Sequence, residues 1–263
     1  MAFSSSPSPN SFDINVVCYD AMINWPRRLA RESPFYRKWL ADCNAKRVLD
    51  VACGTGHHAM MFHDWSLSVE AADASAAMIA HCRSAYGIEN APHWIQRSFI
   101  ESTTLPNHFD AVVCVGNSLA LADSEKTIRL ACKAMLEALR VGGICILHLL
   151  NLWSRPEGPT SWQKCMRIRL KGEEHLLLKG IHRSGEQGFI DFADLLLGQD
   201  ESVTPRFDST SFLGIEADTL ADFVAEAGGE TVAVFGDYKE APYDRLKSTD
   251  LILIGRKIAE SNG

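Results

Sequence analysis

The sequence predicts an α/β fold: a mostly parallel, Rossmann-like sheet of seven strands with a small antiparallel β insertion. Three observations predict it. From Arg47 onward, short apolar runs alternate with helical stretches, the spacing of right-handed strand–helix–strand crossovers. A glycine loop, Gly54-Thr55-Gly56, follows the first apolar run, and Asp73 ends the second. Between Asn151 and Thr210 the helical stretches stop, and alternating runs separated by glycine turns replace them.

Taken in order, residues 1–14 hold Ser4, Ser5, Ser6, Pro7 and Pro9. They have no charged or apolar signal region and read as a disordered tail. Residues 15–45 read as helical. Tyr19 to Leu40 mixes Met22, Trp25, Leu29, Phe35 and Trp39 with charges, and Pro26 and Pro34 are expected to break the helix. The core then spans 46–151. Val48–Ala52 is its first strand and Leu67–Ala72 its second; Ser75–Tyr86 is a helix with Ser75 as N-cap. His93–Gln96 and Ala111–Val115 are strands three and four. Glu125–Leu139 is a helix, and Gly143–Leu149 is strand five after a Val141-Gly142-Gly143 turn. The runs Met166–Leu170, His175–Ile181 and Phe189–Leu196 predict two or three antiparallel strands in an inserted subdomain over 152–205. The core resumes over 206–263 with a helix, Ala217–Ala227, stopped by Gly228-Gly229. Strands Thr231–Phe235 and Asp250–Ile254 follow, joined without a helix and therefore antiparallel to each other.

Composition narrows the function. The 263 residues carry a formal net charge of -7 with no concentration of lysine and arginine, a surface that repels phosphate backbones and argues against a nucleic-acid partner. The eight cysteines lack CxxC or CxxH spacing, and Cys114 and Cys145 lie inside apolar runs. They read as buried free thiols in a reducing, cytoplasmic setting and not as a zinc site. The longest apolar stretch, Ile144 to Leu150, is too short to span a bilayer and contains His148, so no membrane is expected. A homo-oligomer is left open.

The chemistry lies in Val48-Leu49-Asp50-Val51-Ala52-Cys53-Gly54-Thr55-Gly56-His57-His58-Ala59. Glycine serves where backbone approaches a ligand closely or takes a positive φ, and a loop at the carboxyl end of the first strand is where open α/β sheets bind nucleotides. A carboxylate at Asp73 is placed to accept ribose hydroxyl protons. The loop also satisfies the dinucleotide pattern G-x-G-x-x-A, so a dehydrogenase must be weighed. Asp50 argues against one, because an acid there would face a pyrophosphate but suits the ammonium of a methionine moiety. The polar turn Val115-Gly116-Asn117-Ser118-Leu119 opens onto the same end of the sheet. His57 and His58 are adjacent on a helix and point different ways, which disfavours a shared metal.

Val48–Gly56, Asp73-Ala74-Ser75 with Met78, and Phe109 to Ser118 closely resemble the glycine and glycine/sarcosine N-methyltransferases, as do Tyr19 to Trp25 with Arg28. So does the passage from Leu136 to Gly143 into strand five. The resemblance implies a class I S-adenosylmethionine-dependent methyltransferase of the EC 2.1.1 class, with S-adenosyl-L-homocysteine as product, a small-molecule methyl acceptor and no metal. It implies that Ala52, Gly54 and Gly56 line the methionine and ribose part of the cofactor and that Asp73 holds the ribose. Ala74 and Met78 would flank the adenine. Ser98 and Phe99 would bind its edge and face, Ser98 departing from the family's amide or carboxylate. Val115 would meet the sulfonium end through its backbone, and His58 matches a position near the cofactor. Residues 15–45 become a lid in which Trp25 covers the site and Arg28 pairs with the cofactor carboxylate. Asn117 is the candidate for orienting the acceptor, with Tyr19 a second catalytic candidate.

Such a transfer needs mainly positioning and exclusion of water. An amine acceptor is expected, with O-methylation or a non-catalytic cofactor-binding subunit as the alternatives. The family's carboxylate-binding arginine after strand five is replaced here by Leu150 in His148-Leu149-Leu150-Asn151-Leu152. A buried carboxylate without a partner is costly. Arg167 and Arg169 alternate as if on a solvated face. Glycine and sarcosine are therefore expected to be poor substrates beside a less acidic, more apolar amine or hydroxyl compound.

Overall fold

The protein is described from a computed structural model covering residues 16–170, 172–200 and 202–259; the expected disordered tail at 1–14 lies outside these. Helices α1 (Val16–Ala21) and α2 (Trp25–Asp42) precede strand β1 (Arg47–Asp50). Then come α3 (His57–Asp64), β2 (Ser68–Asp73), α4 (Ala76–Tyr86), β3 (His93–Gln96) and β4 (Phe109–Cys114). A short 3-10 turn, Leu119–Leu121, leads to α5 (Glu125–Ala138) and β5 (Leu139–Leu150). These strands form a seven-stranded sheet with β10 (Gly229–Phe235) and β11 (Asp250–Lys257), in the order β10-β11-β5-β4-β1-β2-β3. Strands β1 to β5 run parallel, while β11 is antiparallel to both β5 and β10. The strand order reverses between β1 and β4, the switch point where open α/β sheets bind ligands beyond the strands' carboxyl ends.

Both faces of this sheet are covered, so its central strands are apolar throughout instead of alternating. In β4 all six residues are buried: Val112 and Cys114 join a cluster with Ile128, Met135 and Phe223, while Ala111 and Val113 face Tyr36, Phe62 and Ile79. Ser75 caps α4 as expected, accepting the Met78 N–H at 3.2 Å. Two local expectations change. Pro34 sits inside α2 without ending it, although an internal proline costs about 3 kcal/mol. Burial of Phe35, Tyr36, Trp39 and Leu40 on the same helix offsets that loss. Residues 141–143 form no separate turn. They belong to β5 as an irregularity, with Gly142 at φ +76 and the pairing shifted between Phe109↔Leu139 and Ala111↔Ile144.

The insertion is a separate antiparallel sheet of four strands: β6 (Ser161–Leu170), β7 (Glu173–Ser184), β8 (Gln187–Leu197) and β9 (Val203–Leu213). The fourth strand carries the insertion past position 205, where the sequence pattern ended it. Its run Thr204-Pro205-Arg206-Phe207-Asp208-Ser209 is almost fully exposed, so no hydrophobic alternation marked it as a strand. Directly paired residues share a face, which groups Leu177, Lys179 and Ile181 of β7 with Ile190 and Phe192 of β8 and Thr210 of β9. Leu177 on this inner face packs with Cys18 and Met22, seating the insertion on α1. Helix α6 (Ala217–Glu226) then returns the chain to the large sheet.

Candidate functional site

A cavity of about 320 Å³ opens at the switch point, roofed by the insertion. Its floor is made by the segments that leave the carboxyl ends of four parallel strands. After β1 come Val51, Ala52, Cys53, Gly54 and Thr55; after β2, Asp73, Ala74 and Ser75. Ser98 and Phe99 follow β3, and Val115, Gly116, Asn117 and Ser118 follow β4. Met78 comes from α4, His58 from α3, and Tyr19, Trp25 and Arg28 from the N-terminal helices. Lys179, Ile190 and Thr210, on three adjacent strands of the insertion, close the top.

Two of the expected residues do not line this cavity. Gly56 caps α3 in a left-handed conformation, φ +84, and a Cβ there would lie 2.9 Å from both Cys82 Sγ and the Trp94 ring. Its glycine is required by packing beneath the loop. Gly54, at φ +53 with open space where its Cβ would point, is the glycine that leaves the cavity floor bare. Asp50 is fully buried beneath the loop: one carboxylate oxygen accepts the Ala52 N–H at 3.2 Å and the other has no partner among the described residues. Burial pushes its carboxyl up to about 7, against the opposing pull of that hydrogen bond. It braces the loop from below and is not at the wall where a ligand ammonium would be met.

Asp73 ties two floor segments together. Its Oδ2 accepts the Gly54 N–H and its Oδ1 the Ser75 N–H, each at 2.9 Å. Asn117 is held as firmly. It is 1% exposed, lies at φ +73, donates its N–H to the His148 carbonyl and accepts the Leu150 N–H on Oδ1 at 2.9 Å. A non-glycine residue in this region stores about 1–3 kcal/mol, a strain that recurs where side chains are aimed at ligands. The remaining amide donor, Asn117 Nδ2, is buried without a partner among the described residues, as is Thr55 Oγ1 on the opposite floor segment. The Gly116 N–H donates to His148 Nδ1, so the Nε2–H of the same ring donates to Asp250 at 3.1 Å; this chain fixes the turn after β4 to β5 and β11.

The N-terminal helices are locked onto α3 through two histidines. His57 bonds Asp20 at 2.9 Å and stacks on Trp25 with ring centroids 4.1 Å apart, while Trp25 Nε1 also donates to Asp20. His58 bonds Glu32 at 2.8 Å, and Glu32 also accepts from Arg28 Nε and Arg31 at 3.0 Å. The two rings thus diverge as expected. Burial opposes a charge on Glu32, but the His58 hydrogen bond and the Arg28 guanidinium prevail and hold its carboxyl down at about 2. Anchored by Glu32, Arg28 reaches the cavity with Nη2 3.8 Å from where a Gly116 Cβ would stand. Among the described residues, no group of three or more His, Cys, Asp or Glu is placed to hold a metal ion, and no helix is long and apolar enough to cross a membrane.

The sequence reading missed the roof. It weighed Arg167 and Arg169 as cations from the insertion, and both are exposed and paired with Glu174. The insertion's cation that lines the cavity is Lys179. Its signal was a single charge at the same parity as Leu177 and Ile181 in an alternating run. Leu150 is not at the cavity wall; it packs against the core while its N–H holds Asn117.

A family model for a methyltransferase domain matches residues 48–143. Glycine/sarcosine N-methyltransferase of Aphanothece halophytica is 32% identical over 135 residues, 51% of this chain and 51% of that protein. Human glycine N-methyltransferase is 30% identical over 155 residues, covering 49% of this chain and 52% of its own length. The chain thus spans about half the length of the curated relatives it matches. Among solved structures, a sugar N-methyltransferase from a Streptoalloteichus species superposes with a TM-score of 0.73 at 21% identity, over 98% of this chain and 99% of that one. An S-adenosylmethionine-bound amino pentose methyltransferase from Micromonospora echinaspora gives a TM-score of 0.69 at 20% identity, over 97% and 100%. The fold is the Rossmann-like class I methyltransferase fold, a mostly parallel seven-stranded sheet with a separate antiparallel sheet.

Proposed function

We propose that this chain is an S-adenosylmethionine-dependent methyltransferase whose acceptor is a small amine. One observation carries the reading: a single cavity at the switch point gathers the Gly54 loop, the Asp73 carboxylate and the unpaired Asn117 amide beneath a roof from the insertion. The residues present fit the cofactor. Asp73 presents a carboxylate to the cavity where ribose hydroxyls would be met, Phe99 and Met78 offer apolar surface for a purine, and Arg28 offers guanidinium nitrogens to a carboxylate. When bound, the cofactor supplies an electrophilic methyl group on a sulfonium, which needs only a lone pair from the acceptor.

This chain's own part is positioning and exclusion of water. The Gly116-Asn117 turn is braced by His148, Leu150 and, through His148, Asp250, so Asn117 is held in one orientation at the cavity floor. Holding acceptor and methyl donor in line supplies about 7–11 kcal/mol of a barrier in well-oriented systems. The N-methyltransferase names of its relatives, on glycine, sarcosine and sugars, support an amine over an oxygen nucleophile.

The reading is tested in two steps. A ligand at 100 times its dissociation constant stabilises by about 2.7 kcal/mol, so S-adenosylmethionine and S-adenosylhomocysteine should raise the melting temperature while NADH does not. Mass spectrometry after incubation with the methyl donor and a panel of small amines should then show a mass increase of one methyl group on an acceptor. Stabilisation by NADH alone would overturn the cofactor; tight cofactor binding with no methylated product would overturn the activity.

A further inference from the structure

The insertion is apolar on both sides of its sheet. Residues of β7 alternate between the inner face and an outward one, and directly paired residues share a face. On the outward face Leu176 meets Leu195, Leu178 meets Ala193 and through it Phe207, and Leu197 meets Val203. Phe207 is 74% exposed and Val203 53%, and the four leucines are half-buried. An antiparallel sheet with one wet face alternates apolar and polar residues. Here Leu176-Leu177-Leu178 on β7 and Leu195-Leu196-Leu197 on β8 are continuous apolar runs, the pattern of strands covered on both faces. The inner face has its cover in Cys18 and Met22, whereas the outward face leaves its apolar groups to solvent.

The size and charge of this face fit a second copy of the chain. Four strands about 4.8 Å apart and 10 to 12 residues long present roughly 700 Å² in projection, near the ~800 Å² per partner of a standard stable interface. The charged side chains on its strands, Arg167, Arg169, Glu174 and Asp191, sum to zero, whereas the whole chain carries -7. Two copies therefore meet here without the repulsion that the net charge imposes elsewhere. Residues 1–14 are a poorer cover. Rich in serine and proline, they offer Met1, Ala2, Phe3, Phe12 and Ile14 as apolar groups, and α1, which continues from them, sits on the opposite face.

We propose that the chain forms a two-fold dimer in which the outward faces of two insertions pack against each other. Such an interface is isologous: each copy contributes the same patch, and the assembly closes without presenting another. Sheets stacked in this way lie about 10 Å apart with their side chains interdigitated. The inner face of the same strands carries Lys179, Ile190 and Thr210, so the partner backs the roof of the cavity without entering it.

Sedimentation velocity at tens of micromolar should give wild type the mass of two chains. The double substitution Phe207→Glu with Val203→Glu changes two exposed side chains, so circular dichroism should show the fold intact. It is expected to weaken the dimer about a hundredfold or more. Leu246→Glu, at an apolar side chain 66% exposed outside the insertion, should leave the mass at two chains. Cys165 gives an independent readout. It pairs with Leu178 on the outward face and is exposed, while the other seven cysteines are buried or partly buried. A maleimide should modify it slowly in the dimer and rapidly in the double variant. A dimer that survives the double substitution, or that Leu246→Glu breaks equally well, overturns the proposal. A monomeric wild type overturns it too, and Cys165 that then reacts slowly until residues 1–14 are deleted would make that segment the cover.

Discussion

The Asp73 carboxylate accepts the Gly54 and Ser75 N–H groups, one on each oxygen, and lines the cavity. In the proposed function the same side chain both shapes the floor and offers acceptors to the ribose. Removing it does both kinds of harm, which a substitution to alanine would not separate. Asp73→Asn keeps the shape but drops the charge and turns an amide toward one of the two N–H groups. It is expected to cost about 1–3 kcal/mol of cofactor affinity, tenfold to a hundredfold, with a smaller fall in melting temperature. Titration calorimetry with S-adenosylhomocysteine reads the first and thermal denaturation the second; an unchanged affinity would show that the ribose is held elsewhere. Gly54 and Gly56 illustrate the same point about position. Two residues apart in one loop, the first bares the cavity and the second makes room for Cys82 and Trp94.

Besides its buried aromatics, helix α2 is tied to α3 by one buried carboxylate. Glu32 takes His58 on one oxygen and Arg28 and Arg31 on the other, so the helix that presents Arg28 to the cavity depends on its charge. Its folded-state value of about 2 lies below the usual 4.5, so its stabilisation is fully present above pH 4.5 and is lost as the pH falls toward 2. The full difference amounts to about 3 kcal/mol. His58, whose protonation is disfavoured chiefly by burial, acts in the same direction, its share lost as the pH drops below 6.5. Melting curves between pH 7 and pH 3 should show wild type losing stability more steeply than Glu32→Gln, which starts lower and responds less. Parallel pH profiles would mean that Glu32 does not carry the clamp.

At the scale of the molecule, the cavity is shared by three bodies that the chain builds separately. These are the N-terminal helices, the carboxyl ends of the parallel strands, and the inner face of the antiparallel sheet. A ligand there ties them together, and groups that it orders should exchange their amide hydrogens more slowly. Hydrogen exchange read by mass spectrometry should show S-adenosylhomocysteine protecting residues 50–56, 73–78 and 115–118 together with 19–28. Strand β10, at the far edge of the sheet, should be unaffected. Protection confined to the antiparallel sheet would put the cofactor somewhere other than the switch point.

Much of this architecture is local information. Continuous apolar runs such as Val48 to Ala52 and Ala111 to Val115 announce strands buried on both faces. Ser75 announces a cap, and Gly54 with Asp73 the end of the sheet where the cavity opens, because burial, capping and positive φ each leave their mark on one or two neighbouring residues. The joining of β10 and β11 without a helix likewise implied their antiparallel pairing. What short-range patterns do not encode is which buried side chain reaches which neighbour. Asp50 and Gly56 belong to the motif yet lie under the loop, Pro34 stays helical because distant aromatics pack on its helix, and exposed β9 has no apolar period to betray it. Lys179 needed both sheets in place, since only their sharing of one cavity turns a lysine in an alternating run into part of its lining. The sequence by itself determined the sheet and the end of it where the cavity opens, through local burial and backbone geometry; the tertiary structure decided which groups meet there, because contacts between remote segments depend on packing that no single segment contains.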